Sequence, residues 1–229
     1  MLRKIQHNPI FITGVERSGS TIIARILDLC NVSSGNCNNM FENVIINEFN
    51  TDYLKNFSLT FPKTADIDIP IRWKGAVDGV LLVENCLDKP YMVKSAMLAR
   101  LWPIWNYAYP DAKWLIVRRR TGDVIQSCLK TGYMKTFKSA ENLLSLGLTK
   151  EAEGWLWWIH QYENKFVEMI KAGLNCRIIW PERMVTGNYE QMYETIEWLG
   201  LKWNEQIPEI IDPLLSKSRE GIIYENNSR

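Results

Sequence analysis

The chain has 229 residues, enough for one domain with a full core. Its 27 Lys and Arg against 26 Asp and Glu give a net charge of +1, which excludes a nucleic-acid-coating protein in bulk, so any basic site is local. The absence of a run of roughly eighteen apolar residues excludes a transmembrane helix. The segment from Met1 to Asn8 is too short and polar to read as a signal peptide. Five scattered cysteines (Cys30, Cys37, Cys86, Cys128, Cys176) with no C-x-x-C pair predict free thiols in a reducing, cytoplasmic setting. With only His7 and His160 beside them, no zinc site is expected.

In chain order, Pro9 to Thr13 reads as a buried strand and Thr21 to Leu27 as an amphipathic helix. Between them, Gly14-Val15-Glu16-Arg17-Ser18-Gly19-Ser20-Thr21 matches the phosphate-loop pattern G-x-x-x-x-G-K-[ST] except at the lysine, where Ser20 stands. Such a strand, glycine turn and helix start aim backbone N–H groups and a positive dipole end at an anion. Residues 31 to 76 read as loop, rich in Asn, Ser and Thr and punctuated by Pro62 and Pro70, with a short helix around Phe41 to Phe49. The apolar runs Gly79–Val83 and Tyr91–Val93 predict strands, and Ser95 to Tyr107 has helical spacing that Pro103 kinks or breaks.

Lys113 to Arg118 predicts a strand and Thr121 to Leu129 a helix, followed by a polar, mobile cover from Thr131 to Thr149. Lys150 to Ala172 is the longest helix, with Trp155, Trp158, Ile159, Tyr162, Phe166, Met169 and Ile170 as its apolar stripe and Gly173 as its stop. Cys176 to Trp180 predicts another buried strand, and the helix after it runs from an Asn188 cap to Gly200. Strands alternating with helices imply an α/β fold. The expectation is a single three-layer phosphate-loop domain over residues 1–229, with a mostly parallel central sheet flanked by helices.

Ligands of such sheets bind beyond the carboxyl ends of the strands. Three chemically loaded segments fall there: Arg17 to Thr21, Lys94-Ser95, and Arg119 to Ser127. An ATP- or GTP-using enzyme needs a magnesium ligand, usually an Asp ending a neighbouring apolar strand. Here the strand Trp114 to Val117 ends in Arg118-Arg119-Arg120, and neither Asp78 nor Asp123 follows an apolar strand of convincing length. The reversed sign suits a second anion, and two anion pockets on one such scaffold describe a nucleotide phosphorylated at both ends of its ribose.

These segments resemble the PAPS-dependent sulfotransferases. Glu16-Arg17-Ser18-Gly19-Ser20-Thr21 is similar to their 5′-phosphosulfate loop, in the Arg-Ser-Gly-Thr-Thr version of the bacterial and tyrosylprotein branches. Arg119, Asp123-Val124 and Ser127 are spaced like the family's 3′-phosphate motif. Lys89 to Ser95, followed by Tyr109 to Lys113, resembles its lysine motif. Looser likenesses follow at Glu182-Arg183-Met184-Val185 and Trp198-Leu199-Gly200-Leu201.

The resemblance implies transfer of a sulfuryl group from PAPS to a hydroxyl or amine, with no metal required. It puts Arg17, Ser18, Gly19, Ser20 and Thr21 on the 5′-phosphosulfate, Lys94 on the transferring sulfonate, and Arg119 with Ser127 on the 3′-phosphate. Lys217, Arg219 and Gly221 would close over that second phosphate. Two departures stand out. Pro181 occupies the place of a tyrosine near the adenine, and Ala96 that of the catalytic histidine of the cytosolic branch. A glutamate takes the proton in other branches, and the candidates here are Glu42 first and Glu48 second.

The acceptor, whether small molecule, sugar, lipid or peptide, would enter between residues 31–76 and 131–150, where Phe41, Trp73, Tyr133 and Phe137 suit several of these. No nucleic-acid partner is expected, and the residues carry no sign of oligomeric state. Two other readings compete: a nucleotide kinase or NTP-binding module, marked by magnesium-dependent ATP binding, and a non-catalytic PAP-binding protein.

Overall fold

The computed structural model of the chain describes residues 7–57, 59–86, 88–131 and 134–211. Four parallel strands form its sheet in the order β2-β1-β3-β4: β1 (Ile10–Gly14), β2 (Met92–Lys94), β3 (Lys113–Val117) and β4 (Cys176–Ile179). The register pairs Gly14 with Val117 and Val117 with Ile179, while Ile12 pairs with Lys94. The strands therefore end together at one edge, and everything that follows them in sequence is delivered to that edge.

Side chains alternate across a strand, and here both faces are buried. Phe11, Val93, Trp114 and Ile116 face one layer of helices. That layer contains α2 (Val44–Leu54), α3 (Trp73–Val83), α4 (Met97–Arg100), α5 (Trp102–Ala108), α6 (Thr121–Lys130) and α8 (Glu151–Lys171), with α7 (Ala140–Ser145) beside it. Ile10, Ile12, Met92, Leu115, Val117 and Ile179 face the other, built from α1 (Ser20–Leu29), α9 (Glu182–Val185) and α10 (Glu190–Leu199). Helices, sheet and helices make the expected three layers. Phe11 anchors the larger core edge-on between Trp105 and Trp114, at 5.2 and 4.6 Å. Each such pair adds about 0.5–1.5 kcal/mol beyond the area it buries.

Several elements differ from their sequence reading. Gly79–Val83 is the last part of α3, because Trp73, Val77 and Leu81 recur every four residues and bury one helix face. The segment 31–76 is more ordered than a loop. Its helix α2 starts later than expected, at Val44, because the Asn43 side chain caps it by accepting from the Ile46 N–H. Pro103 sits in the first turn of α5, where a missing N–H is harmless, and the break falls at Leu101.

The segment after α6 is not a bare cover. Phe137 is fully buried against Trp155, 4.8 Å away, and α7 follows with Ser139 as its cap. Ile170 leaves the α8 stripe and is 47% exposed. Strand β4 is an edge, with only Ile179 buried. Asn188 lies just before the cap of α10, its side chain accepting from the Glu190 N–H, and Gly200 ends that helix at φ 78°.

Candidate active site

The loop joining β1 to α1 is shaped by a close approach of two strands. A Cβ on Gly14 would collide with the Val117 carbonyl and the Ser18 hydroxyl, so only glycine lets β1 and β3 meet there. Ser18 N–H donates to the Val15 carbonyl at 3.1 Å, closing a four-residue turn in which Arg17 holds φ 68°. The left-handed region disfavours a side-chain-bearing residue by about 1–2 kcal/mol. Gly19, at φ 94°, then opens α1 without a side-chain cap, so the N–H groups of the first turn face the strand edge. The Ser18 side chain is turned inward and fully buried, leaving Gly19, Ser20 and Thr21 as the loop's outward groups.

Opposite this loop, the three consecutive arginines after β3 are sorted by their neighbours. Arg118 pairs with Glu163 of α8 at 2.7 Å and lies over the Trp180 ring. Arg120 pairs with Glu182 of α9, whose carboxylate also accepts the Arg120 N–H. Arg119 turns to the loop instead, its guanidinium donating to the Arg17 carbonyl at 3.4 Å. Arg17 Nε in turn donates to Ser127 Oγ on α6 at 3.0 Å. The first and third loaded segments, about a hundred residues apart, therefore interlock.

The second segment joins them from β2. Lys94 is 4% exposed, and its Nζ donates to Thr21 Oγ1 at 3.4 Å and to Glu42 Oε1 at 3.2 Å. Burial lowers its pKa from the ordinary value, while Glu42 and Glu16 push it back up. Glu42 reaches this place from a loop knotted on Asn38: Asn38 Oδ1 accepts the Glu42 and Met40 N–H groups, and Asn38 N–H donates to the Glu42 carbonyl. Glu48 stands apart, exposed on α2 in an open cleft with Asn38, Val44, Asn47, Thr51 and Asp52.

No protein-family profile and no curated protein sequence matches the chain. Among solved structures, sulfotransferase STF9 from Mycobacterium avium superposes on 94% of this chain and 69% of its own, with a TM-score of 0.59 at 10% identity. The chain has the sulfotransferase fold. Sulfotransferase STF1 from Mycobacterium tuberculosis H37Rv is a more distant likeness, with a TM-score of 0.48 and 12% identity over 89% of this chain and 70% of that one.

Within this sulfotransferase fold, other positions singled out by sequence are also placed. Ala96 offers only its carbonyl, which accepts from Thr13 Oγ1, and His160 is exposed on α8. Pro181 packs against Gly19, close enough that a Cβ there would lie 3.1 Å from its ring. Trp73 and Phe137 are core residues, so of the described aromatic acceptor-wall candidates Phe41 remains, half-buried under Arg25. Tyr133, Lys217, Arg219 and Gly221 lie outside the described residues. Among the described residues, no three His, Cys, Asp or Glu side chains gather as a metal site, and no helix is long and apolar enough to cross a membrane.

One residue of the site had no role in the sequence reading. Glu16 is half-buried under the loop, its carboxylate turned inward, accepting from Trp158 Nε1 at 2.8 Å and facing the Tyr162 hydroxyl at 3.5 Å. Burial pushes its carboxyl above the usual range, against the pull of Trp158 and of nearby Arg100. The only local sign was an acid inside an anion-binding loop, and its partners lie more than 140 residues away.

Proposed function

We propose that the chain is a PAPS-dependent sulfotransferase: it moves the sulfuryl group of PAPS to the hydroxyl or amine of an acceptor and releases PAP. The observation that carries this reading is the sorting of the arginines. Two of the three are neutralised by carboxylates, and Arg119 is kept for the loop, beside Arg17 and Ser127. A guanidinium grips two phosphate oxygens at once, so Arg17 and Arg119 suit one phosphate each at the two ends of a ribose. The first-turn N–H groups of α1, with the Ser20 and Thr21 hydroxyls, hold the 5′ side, and Ser127 helps to hold the 3′ side. Ser18 contributes backbone shape rather than its buried hydroxyl.

Transfer forms a bond from the acceptor oxygen to sulfur and breaks the one from sulfur to the bridging oxygen. Charge grows on the departing oxygen, where Arg17 opposes it, and Lys94 neutralises the sulfonate in transit. In the unliganded chain Lys94 is engaged by Glu42. An arriving sulfonate competes for the same ammonium, so donor binding frees the Glu42 carboxylate to take the acceptor's proton. A well-placed base contributes about 10²–10⁴-fold. Fixed cations serve this chemistry, and no step is assigned to a metal. Residues 1–229 act as one domain, and the acceptor (small molecule, sugar, lipid or peptide) enters beside residues 31–76 and 131–150. Five free thiols fit a reducing, cytoplasmic compartment.

The test is thermal stability with PAP, against ADP and against ATP with magnesium. A ligand at a hundred times its dissociation constant adds about 2.7 kcal/mol. PAP alone should raise the melting temperature, and Arg119→Ala should abolish most of the rise. Stabilisation only by ATP with magnesium would replace this reading with a kinase, and PAP binding without turnover of PAPS would make the chain a PAP-binding protein.

A further inference from the structure

The loop contains a turn that ordinarily asks for glycine. Val15, Glu16, Arg17 and Ser18 form it, closed by Ser18 N–H on the Val15 carbonyl, and Arg17 occupies its third place with φ 68°. Positive φ at that place belongs to glycine or asparagine in turns of this type. An arginine persists there only where the surroundings fix it. On the far side of Arg17 the fixing contact is Ser127. On the near side it is Glu16.

Both carboxylate oxygens of Glu16 are seated on α8. Oε2 accepts from Trp158 and Oε1 faces Tyr162, residues four apart and so on one helix face. Trp158 is itself held: the buried Arg100 guanidinium from α4 lies over its ring at 5.4 Å and over Phe61 at 4.9 Å, and donates to the Thr60 carbonyl. We propose that Glu16 is a positioning residue for Arg17: clamped to α8, it fixes the second place of the turn and so keeps Arg17 left-handed with its guanidinium on Ser127. The inference rests on Arg17 being the donor-binding arginine, but its structural half stands whatever the chain binds. A carboxyl whose ionisation is opposed by burial is retained in the loop because its two acceptor oxygens reach α8, which an apolar side chain there would not do.

Two readouts test it. In the crystal structure of unliganded Glu16→Ala, Arg17 should leave the left-handed region and lose Ser127. Arg17 still at positive φ and still on Ser127 would overturn the proposal. In solution, Glu16→Ala should weaken PAP binding at least tenfold, and Glu16→Gln, which keeps an acceptor oxygen for Trp158, should restore it to within about threefold of wild type. In an Arg17→Ala background, Glu16→Ala should change PAP affinity less than twofold. Equal losses in both backgrounds would mean a merely structural role and would also overturn it. If Glu16→Ala does not fold, Trp158→Phe removes the donor while keeping an aromatic ring in the same packing, and carries the same readouts. A wild-type chain that ignores PAP sinks the sulfotransferase reading, and the crystal structure of the variant still decides this one.

Discussion

Lys94 and Glu42 are a residue-scale pair whose chemistry follows from where each is placed. Burial disfavours the Lys94 ammonium and the Glu42 carboxylate favours it, so the buried lysine depends on the acid beside it. Glu42→Gln should therefore do two things. With PAPS and an acceptor it should lower kcat by about 10²–10⁴-fold, while Glu48→Gln stays within twofold, since Glu48 is exposed in the α2 cleft. It should also change the pH dependence of stability. The folded pKa of Lys94 lies below its ordinary value of 10.5, so the unfolded chain holds that proton more tightly and stability rises with pH between the two values. Removing Glu42 lowers the folded value further and widens the window. Melting temperatures should show Glu42→Gln most destabilised below that window and recovering toward wild type as pH approaches 10.5. A destabilisation that is constant with pH would mean that Lys94 does not sense Glu42.

Among elements, those with local causes were legible in the sequence. β1, β3, α6 and α8 follow from short apolar runs or a helical stripe bounded by Gly or polar turns. The error at Gly79–Val83 has the same origin: five apolar or small residues look alike in a strand and in a helix, and the burial of Trp73, eight positions before Leu81, settles the period. The site was legible as residue types but not as contacts. Which of three arginines faces the loop depends on Glu163 and Glu182, which lie 45 and 62 positions further along the chain. The packing of 134–149 was hidden likewise, because Phe137 finds its place through a gap in a later helix. That gap is Gly154, where a Cβ would lie 2.5 Å from the Phe137 ring. In an exposed helix Gly→Ala stabilises by about 1 kcal/mol. Here Gly154→Ala should destabilise by roughly 1–3 kcal/mol, the usual range for overpacking, and should release the segment around Phe137 to limited proteolysis. A more stable Gly154→Ala chain would show that Phe137 does not need the gap.

At the scale of the whole molecule, the anion loop lies at the seam between two cores that share only the sheet. Cys30 belongs to the core on the α1 side, Cys86 and Cys128 to the core on the α8 side, and Cys37 and Cys176 are half-buried. Burial raises the thiols of Cys30 and Cys176 and pushes Cys128 to about 12, which suppresses the reactive thiolate in both layers. A thiol reagent near neutral pH should modify Cys37 first and reach Cys30, Cys86 and Cys128 only through unfolding. If residues 1–229 behave as one cooperative domain, Cys30 and Cys128 should label at one common rate. A ligand seated between the layers should then slow both by the same factor, about a hundredfold for PAP at a hundred times its dissociation constant. Slowing of Cys128 alone would mean that the α1 layer opens by itself, and that the phosphate loop, half of which is the start of α1, is built on the less stable side of the sheet.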